Sequence, residues 1–308
     1  MRFLTPFGMT MITREEKAFS VLRPKMLFSS HPSLSFRAKR SEVRNPSHQM
    51  RKLFILFFFT LCLSFGSLQA QILKSVTNTA FKKGEVLVYR VHYGFLDAGE
   101  ARLEVKDEEK KFGPRDAFHI VGTGESKGTF NWFFKVRDRY ETFIDADAMV
   151  PWVFIRRVEE GSYKLNQNFV FNPYKKTVDN DGNIFNVPEN VQDMISAFYY
   201  LRCIDFSNAN IGDSITIMGF VDNEVVPLRI RYVGKETIQT DLGTFKCNIF
   251  RPVVITGRIF KSEEDVNVWV TDDKNHIPIR AQAKILVGSV KMDIKSYSGL
   301  ANPISKVE

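Results

Sequence analysis

Between residues 265 and 300, apolar and polar side chains alternate almost one for one. Val266, Val268 and Val270 alternate with Asn267, Trp269 and Thr271. A polar stretch follows, Asp272, Asp273, Lys274, Asn275 and His276. Ile277, Ile279, Ala281, Ala283, Ile285 and Val287 then alternate with Pro278, Arg280, Gln282, Lys284 and Leu286. Beyond Gly288 the pattern resumes, with Val290, Met292 and Ile294 set against Lys291, Asp293 and Lys295. An extended chain points successive side chains to opposite faces, so period-two alternation reads as half-buried strands. The stretch therefore predicts a long hairpin with a polar turn, and a bend at Gly288.

The same period recurs upstream. Residues 86–93, 101–105, 118–123, 136–144, 152–159 and 163–171 read as strands, as do 214–221, 224–233, 236–240 and 244–255. Asp181-Gly182 and Asp241-Leu242-Gly243 are tight-turn signals between them. Gly122, Gly124 and Gly128 mark bulges or bends. Helical spacing is rare. After Pro188 it appears in Val191, Met194, Ile195, Phe198, Tyr199 and Leu201-Arg202, predicting a helix of roughly three turns with Asn190 as N-cap and Asp193 at the capping-box position. The expectation is a mainly β single domain: antiparallel strands in a strongly curved sheet or open barrel, with one packed amphipathic helix.

Charge changes the picture only after the leader is set aside. Met50-Arg51-Lys52, the apolar run 53–63 and Ser67-Leu68-Gln69-Ala70 have the layout of a secretory signal peptide, too short to span a bilayer. The expected organisation is 1–49 as a spurious or disordered extension, 50–70 as the signal peptide and 71–308 as one β-rich domain, with translation starting at Met50. Leu61 precedes Cys62 where a lipoprotein signal wants a small residue, so lipidation is disfavoured. Of the 43 Lys and Arg, 11 precede residue 71, as do 3 of the 35 Asp and Glu. The remainder carries 32 of each and no net field, which removes the electrostatic case for a nucleic-acid partner. Export admits a disulfide between Cys203 and Cys247 without requiring one.

Three stretches carry a family resemblance. They are Val86-x-Tyr-x-Val-x-Tyr-Gly94 with Ala98-Gly99-Glu-Ala101, residues 191–202, and Trp269 to Pro278 with Val287-Gly288-Ser-Val. Together they resemble an exported bacterial family of domains of unknown function, number three-one-zero-eight, over roughly residues 81–300. The resemblance implies an envelope location and a β-rich fold, and it carries no catalytic residues. A more distant likeness, to lipocalin-like barrels and periplasmic lipoprotein carriers, concerns architecture alone.

Candidate chemistry is sparse. Asp272, Asp273 and His276 fall together, but Asp and Asn favour turns because they bond their own backbone. Residues 179–183 miss the calcium-loop pattern, lacking its glycine and Glu spacing. His92 and His119 stand alone in strands. Ser126 is off-centre in its glycine frame and lacks a nucleophile-elbow context. No catalytic constellation, metal site or cofactor is implied. The aromatic clusters remain: Trp132, Phe133, Phe198, Tyr199 and Trp269, read as core filling or as ligand-binding residues of an apolar pocket or groove. The leading expectation is a non-enzymatic protein, periplasmic or outer-membrane-associated in a Gram-negative bacterium, binding a hydrophobic small molecule or lipid or a lipid-linked glycan. The alternatives are an envelope enzyme acting on glycans through carboxylates such as Glu125 or Asp273, and an assembly factor that binds another envelope protein by strand addition.

Overall fold

A computed structural model describes residues 72–94, 96–253, 266–284 and 289–307. The leader, Cys62 and the expected bend at Gly288 with Ile285, Leu286 and Val287 lie outside the described residues. From Leu73 onward the chain forms one compact unit.

The unit is built from β1 (Val86–Tyr93), β2 (Leu96–Val105), β3 (Lys110–Phe112), β4 (Arg115–Ser126), α1 (Gly128–Phe133), β5 (Arg137–Asp145), β6 (Pro151–Glu160), β7 (Tyr163–Asn172), β8 (Thr177–Asn180) and β9 (Asn183–Asn186). Then follow α2 (Met194–Arg202), β10 (Ser214–Val221), β11 (Glu224–Thr240), β12 (Gly243–Pro252), β13 (Val266–Thr271), β14 (Pro278–Lys284), β15 (Ser289–Ser298) and β16 (Lys306–Val307). All strands belong to one antiparallel sheet, ordered β10-β11-β12-β13-β14-β15-β1-β2-β4-β5-β6-β7-β8-β9, with β3 beside β4 and β16 beside β12. The predicted strands 224–233 and 236–240 are one strand, β11. A bulge between Tyr232 and Gly234 lets the chain kink without leaving the ladder.

The two ends of the strand order do not share a ladder. They meet through side chains instead. Phe220 of β10 packs on Phe169 of β7 at 4.9 Å and on Phe185 of β9 at 5.5 Å between ring centroids. Arg156 Nη1 donates to Asp222 at 2.8 Å, and Asn180 Nδ2 donates to Asn223 at 2.8 Å. Gln192 spans the seam with backbone bonds of 2.8 Å to Met218 and from Phe220. The result is the curved, incompletely closed barrel expected from the sequence. Bulges in the two strands that flank β1, at Lys295 of β15 opposite Val88/Tyr89 and at Ala98 of β2 opposite Val91/His92, add curvature. Gly99, from the first family-like stretch, lets β2 approach β4, since a Cβ there would collide with the Glu125 carbonyl.

Alternation sets the buried face. Leu87, Tyr89 and Val91 of β1, Ala101, Leu103 and Val105 of β2, and Thr142, Phe154 and Phe169 all point inward. Ile277 and Ile279 of the final hairpin are fully buried and belong to the core.

Helix α2 closes one end, and it begins later than predicted. Its N-cap is Asp193, not Asn190: the Asp193 carboxylate accepts from the Ile195 and Ser196 N–H groups, and the Ser196 hydroxyl accepts from the Asp193 N–H. Residues 191 and 192 stay extended because Gln192 is bound to β10. Helix α1 was not expected. It has six residues, no side-chain cap and no buried residue, so it leaves no periodic apolar signal.

The last residue of α2, Arg202, is buried and forms a fork with the equally buried Glu85, at 2.6 and 2.8 Å. Its Nε donates to the Asn275 carbonyl at 2.9 Å and its Nη2 to that of Ala80 at 3.2 Å. The guanidinium also lies over Tyr199, at 5.1 Å from the ring centroid. Burial acts against the Arg202 charge, and Glu85 overcomes it and raises the pKa. Replacing Arg202 with Met strands a buried carboxylate and should cost about 3–5 kcal/mol in urea unfolding. Adding Glu85→Leu should restore much of that loss.

Candidate functional site

An antiparallel sheet sorts its connections into two sets, one at each end. At the plugged end lie α2, residues 72–85, the turn 272–277 and the C-terminal segment. At the opposite end lie the connections β1–β2, β4–β5, β6–β7, β8–β9 and β10–β11. That end carries an exposed aromatic pair. Trp132 is 83% exposed and Phe133 76% exposed, with their rings edge-to-face at 5.0 Å, and Leu96 at the start of β2 is also exposed. A small set of bonds holds this projection. The Ser126 hydroxyl donates to Asn131 Oδ1 at 2.7 Å and accepts from the Val136 N–H at 2.9 Å. The Lys127 N–H donates to the Ala98 carbonyl at 3.0 Å, fixing α1 beside β2. Ser126 is thus a loop brace.

Behind this projection the buried face turns polar. Strand register places Gly122, Tyr140, Arg156 and Gln167 in one row across β4, β5, β6 and β7. Arg156 lies 5.9 Å from the Tyr140 ring centroid. Asp138 and Glu160 lie in neighbouring rows, both buried. Arg156 Nε and Gln167 Oε1 have no hydrogen-bond partner among the described residues. One donor and one acceptor on adjacent strands suit a group that can both accept and donate, such as a hydroxyl. At the plugged end a separate small cleft, with a volume of about 20 Å³, lies among Phe171, Pro173, Lys176, Val187, Pro188 and Val191.

The acidic turn is structural, as its composition suggests. Asp273 accepts from the Thr271 hydroxyl and from the N–H groups of Asn275 and Ser305. Asp272 pairs with Lys235 at 2.8 Å, and His276 Nδ1 lies 2.7 Å from the Arg202 carbonyl. Both strand histidines are bonded through both ring nitrogens: His92 to the Gly94 carbonyl and Asp293, and His119 to Glu108 and Glu141. In 179–183, Asp179 accepts from the Gly182 N–H, a hairpin turn. Cys203 and Cys247 are free thiols, and burial pushes both up to about 12.

The five aromatic residues singled out from the sequence do not form one cluster. Trp132 and Phe133 share α1. Phe198 and Tyr199 share α2, where Tyr199 is fully buried against Phe81 at 4.7 Å. Trp269, half-buried on β13, donates Nε1–H to Glu236 at 2.7 Å. The buried polar row was missed because alternation marks which face a residue occupies but not that a charged residue occupies the inner face.

Comparison with known families settles the relationship. Residues 88–295 match the family described as Protein of unknown function (DUF3108). The chain belongs to this family. Among solved structures, a β-barrel-like protein of domain of unknown function DUF1849 from Brucella abortus has a TM-score of 0.48 at 9% identity, with 71% of this chain and 98% of that chain covered. A DUF1089 family protein from Pseudomonas aeruginosa has a TM-score of 0.36 at 10% identity, covering 60% and 89%. A comparison with curated proteins finds no match. For this DUF3108 protein the three family-like stretches have a structural explanation. They supply Gly99, the Asp193–Ser196 cap, Arg202 and the Asn275 turn.

Asp193 yields a titration test. Burial raises its pKa to about 6, against the bonds from Thr142, Ser196 and Ile195. The folded state therefore binds this proton more tightly than the unfolded chain does. Its favourable contribution is full below about pH 4 and is lost as pH rises through about 6. Relative to Asp193→Asn, which titrates nothing there, the native protein should lose roughly 3 kcal/mol between about pH 3 and 7 in denaturant melts. The buried Cys247 thiol should react with Ellman's reagent at neutral pH only as fast as the fold opens, the half-buried Cys203 thiol faster, and both at free-thiol rates in urea.

Proposed function

We propose that the protein is a non-enzymatic binding protein of the bacterial cell envelope. In this reading it is exported, works in the periplasm or against the outer membrane, and takes an apolar or amphipathic ligand of the lipid or lipid-linked glycan class. The observation that carries the reading is the Trp132–Phe133 pair. Two large aromatic side chains are held in solvent by a braced loop, where a folding requirement alone would bury them. Aromatic rings with a polar edge suit the boundary between apolar chains and water. The signal-like leader and the neutral charge of the remainder are consistent with it. The buried row of Tyr140, Arg156 and Gln167 adds polar groups behind the rim that suit a hydroxylated head group.

The other readings draw less support. Glu125 and Asp273 fall at opposite ends of the sheet and cannot share one glycosidic bond. Strand addition finds an exposed Ile184 on edge strand β9, but β9 has only four residues, the short kind of edge that resists pairing.

Native mass spectrometry and lipid extraction of protein isolated from the periplasm test the proposal. The expected result is a bound lipid-class mass that disappears from the Trp132→Ala, Phe133→Ala variant. A bare protein mass with no extractable lipid would overturn it.

A further inference from the structure

We infer that the α1 projection docks the protein on an anionic bilayer surface, with Trp132 and Phe133 inserted at the head-group level. The inference builds on the reading above by naming the surface from which an envelope ligand is reached. Three observations carry it.

The first is size. Trp132, Phe133 and Leu96 together expose far less than the ~800 Å² per partner of a stable protein interface. A bilayer needs no complementary pocket, and Trp sits well at its boundary. The second is charge placement. Residues 127–137 contain Lys127, Lys135 and Arg137 and no Asp or Glu. Lys127 pairs with Glu100 at 3.0 Å and with Glu125 at 3.3 Å, and Lys135 with Glu159 at 3.8 Å; these exposed pairs are weak, and their carboxylates belong to the strands behind the projection. Long basic side chains flanking exposed aromatics can reach lipid phosphates while their stems lie on apolar surface. The third is rigidity. The bonds from Ser126 to Asn131 and Val136 hold the helix in place before any contact, so little ordering remains to be done on docking.

The chain holds three tryptophans, Trp132, Trp152 and Trp269, which makes the test direct. In the Trp152→Phe, Trp269→Phe protein, Trp132 is the sole reporter. On vesicles of phosphatidylglycerol and phosphatidylethanolamine its emission should shift to the blue, and the protein should sediment with the vesicles. Trp132→Ala with Phe133→Ala should weaken sedimentation by about tenfold or more, with the thermal midpoint unchanged. Lys135→Gln with Arg137→Gln, or added salt, should weaken it too. If the double Phe variant does not fold, the difference between the native chain and its Trp132→Phe variant gives the same reading.

No shift and no sedimentation would overturn the inference. So would equal binding to phosphatidylcholine vesicles, which would remove the anionic assignment. A blue shift without vesicles that grows with protein concentration would replace the bilayer with a second copy of the chain. Copurifying lipid without vesicle binding would overturn docking and leave the ligand-binding proposal standing. Vesicle binding by a protein that carries no lipid would do the reverse.

Discussion

The fold depends on one buried ion pair. Arg202 and Glu85 are both inaccessible to water, and each would be costly without the other. The fork is only part of what Arg202 does. Through Nε and Nη2 it ties the carbonyl of Asn275 in the β13–β14 turn and that of Ala80 in the segment before β1. Through its own carbonyl it meets His276. Asn275 in turn donates to Asn302 and Pro303. Four pieces of chain far apart in sequence therefore share one guanidinium and its neighbours. A lysine could not replace it, because a point charge cannot hold a carboxylate fork and two carbonyls at fixed angles.

This arrangement makes the two ends of the barrel unequal. The plugged end is crossed by backbone-anchored contacts and filled by α2. Along the seam between β9 and β10, the contacts are the rings around Phe220, the Arg156–Asp222 pair, the Asn180–Asn223 bond and the short bridge at Gln192. A sheet joined this way keeps its curvature without a complete ladder. Among the described residues its sixteen strands remain one open sheet whose first and last members pack rather than pair.

How much of this was legible follows from what alternation encodes. It gave β7 and β10 nearly residue for residue, and β7 has the one wet and one dry face that alternation encodes. It split β11 in two near its bulge at Val233, where the period slips by one residue. It misplaced the start of α2 because Val191 fits the helical spacing, while a long-range bridge holds Gln192 extended. It could not find α1, which buries nothing. Trp132 and Phe133 were visible as an aromatic cluster. What the sequence lacked was their exposure, since the same letters serve a core equally well, as Tyr199 does.

The residues that carry the family likeness gather where the fold is tied together. Gly99 permits close strand approach, Asp193 caps α2, Arg202 joins the plug and Asn275 fixes the turn. None of them lies on the aromatic projection. A family recognised by such residues is recognised by its frame, and the frame leaves the loops at the opposite end free to differ without cost to stability. The proposed binding role therefore falls to Trp132 and Phe133. They are the side chains whose position the frame does not require, so their exposure in a braced loop is what the proposed binding role has to explain.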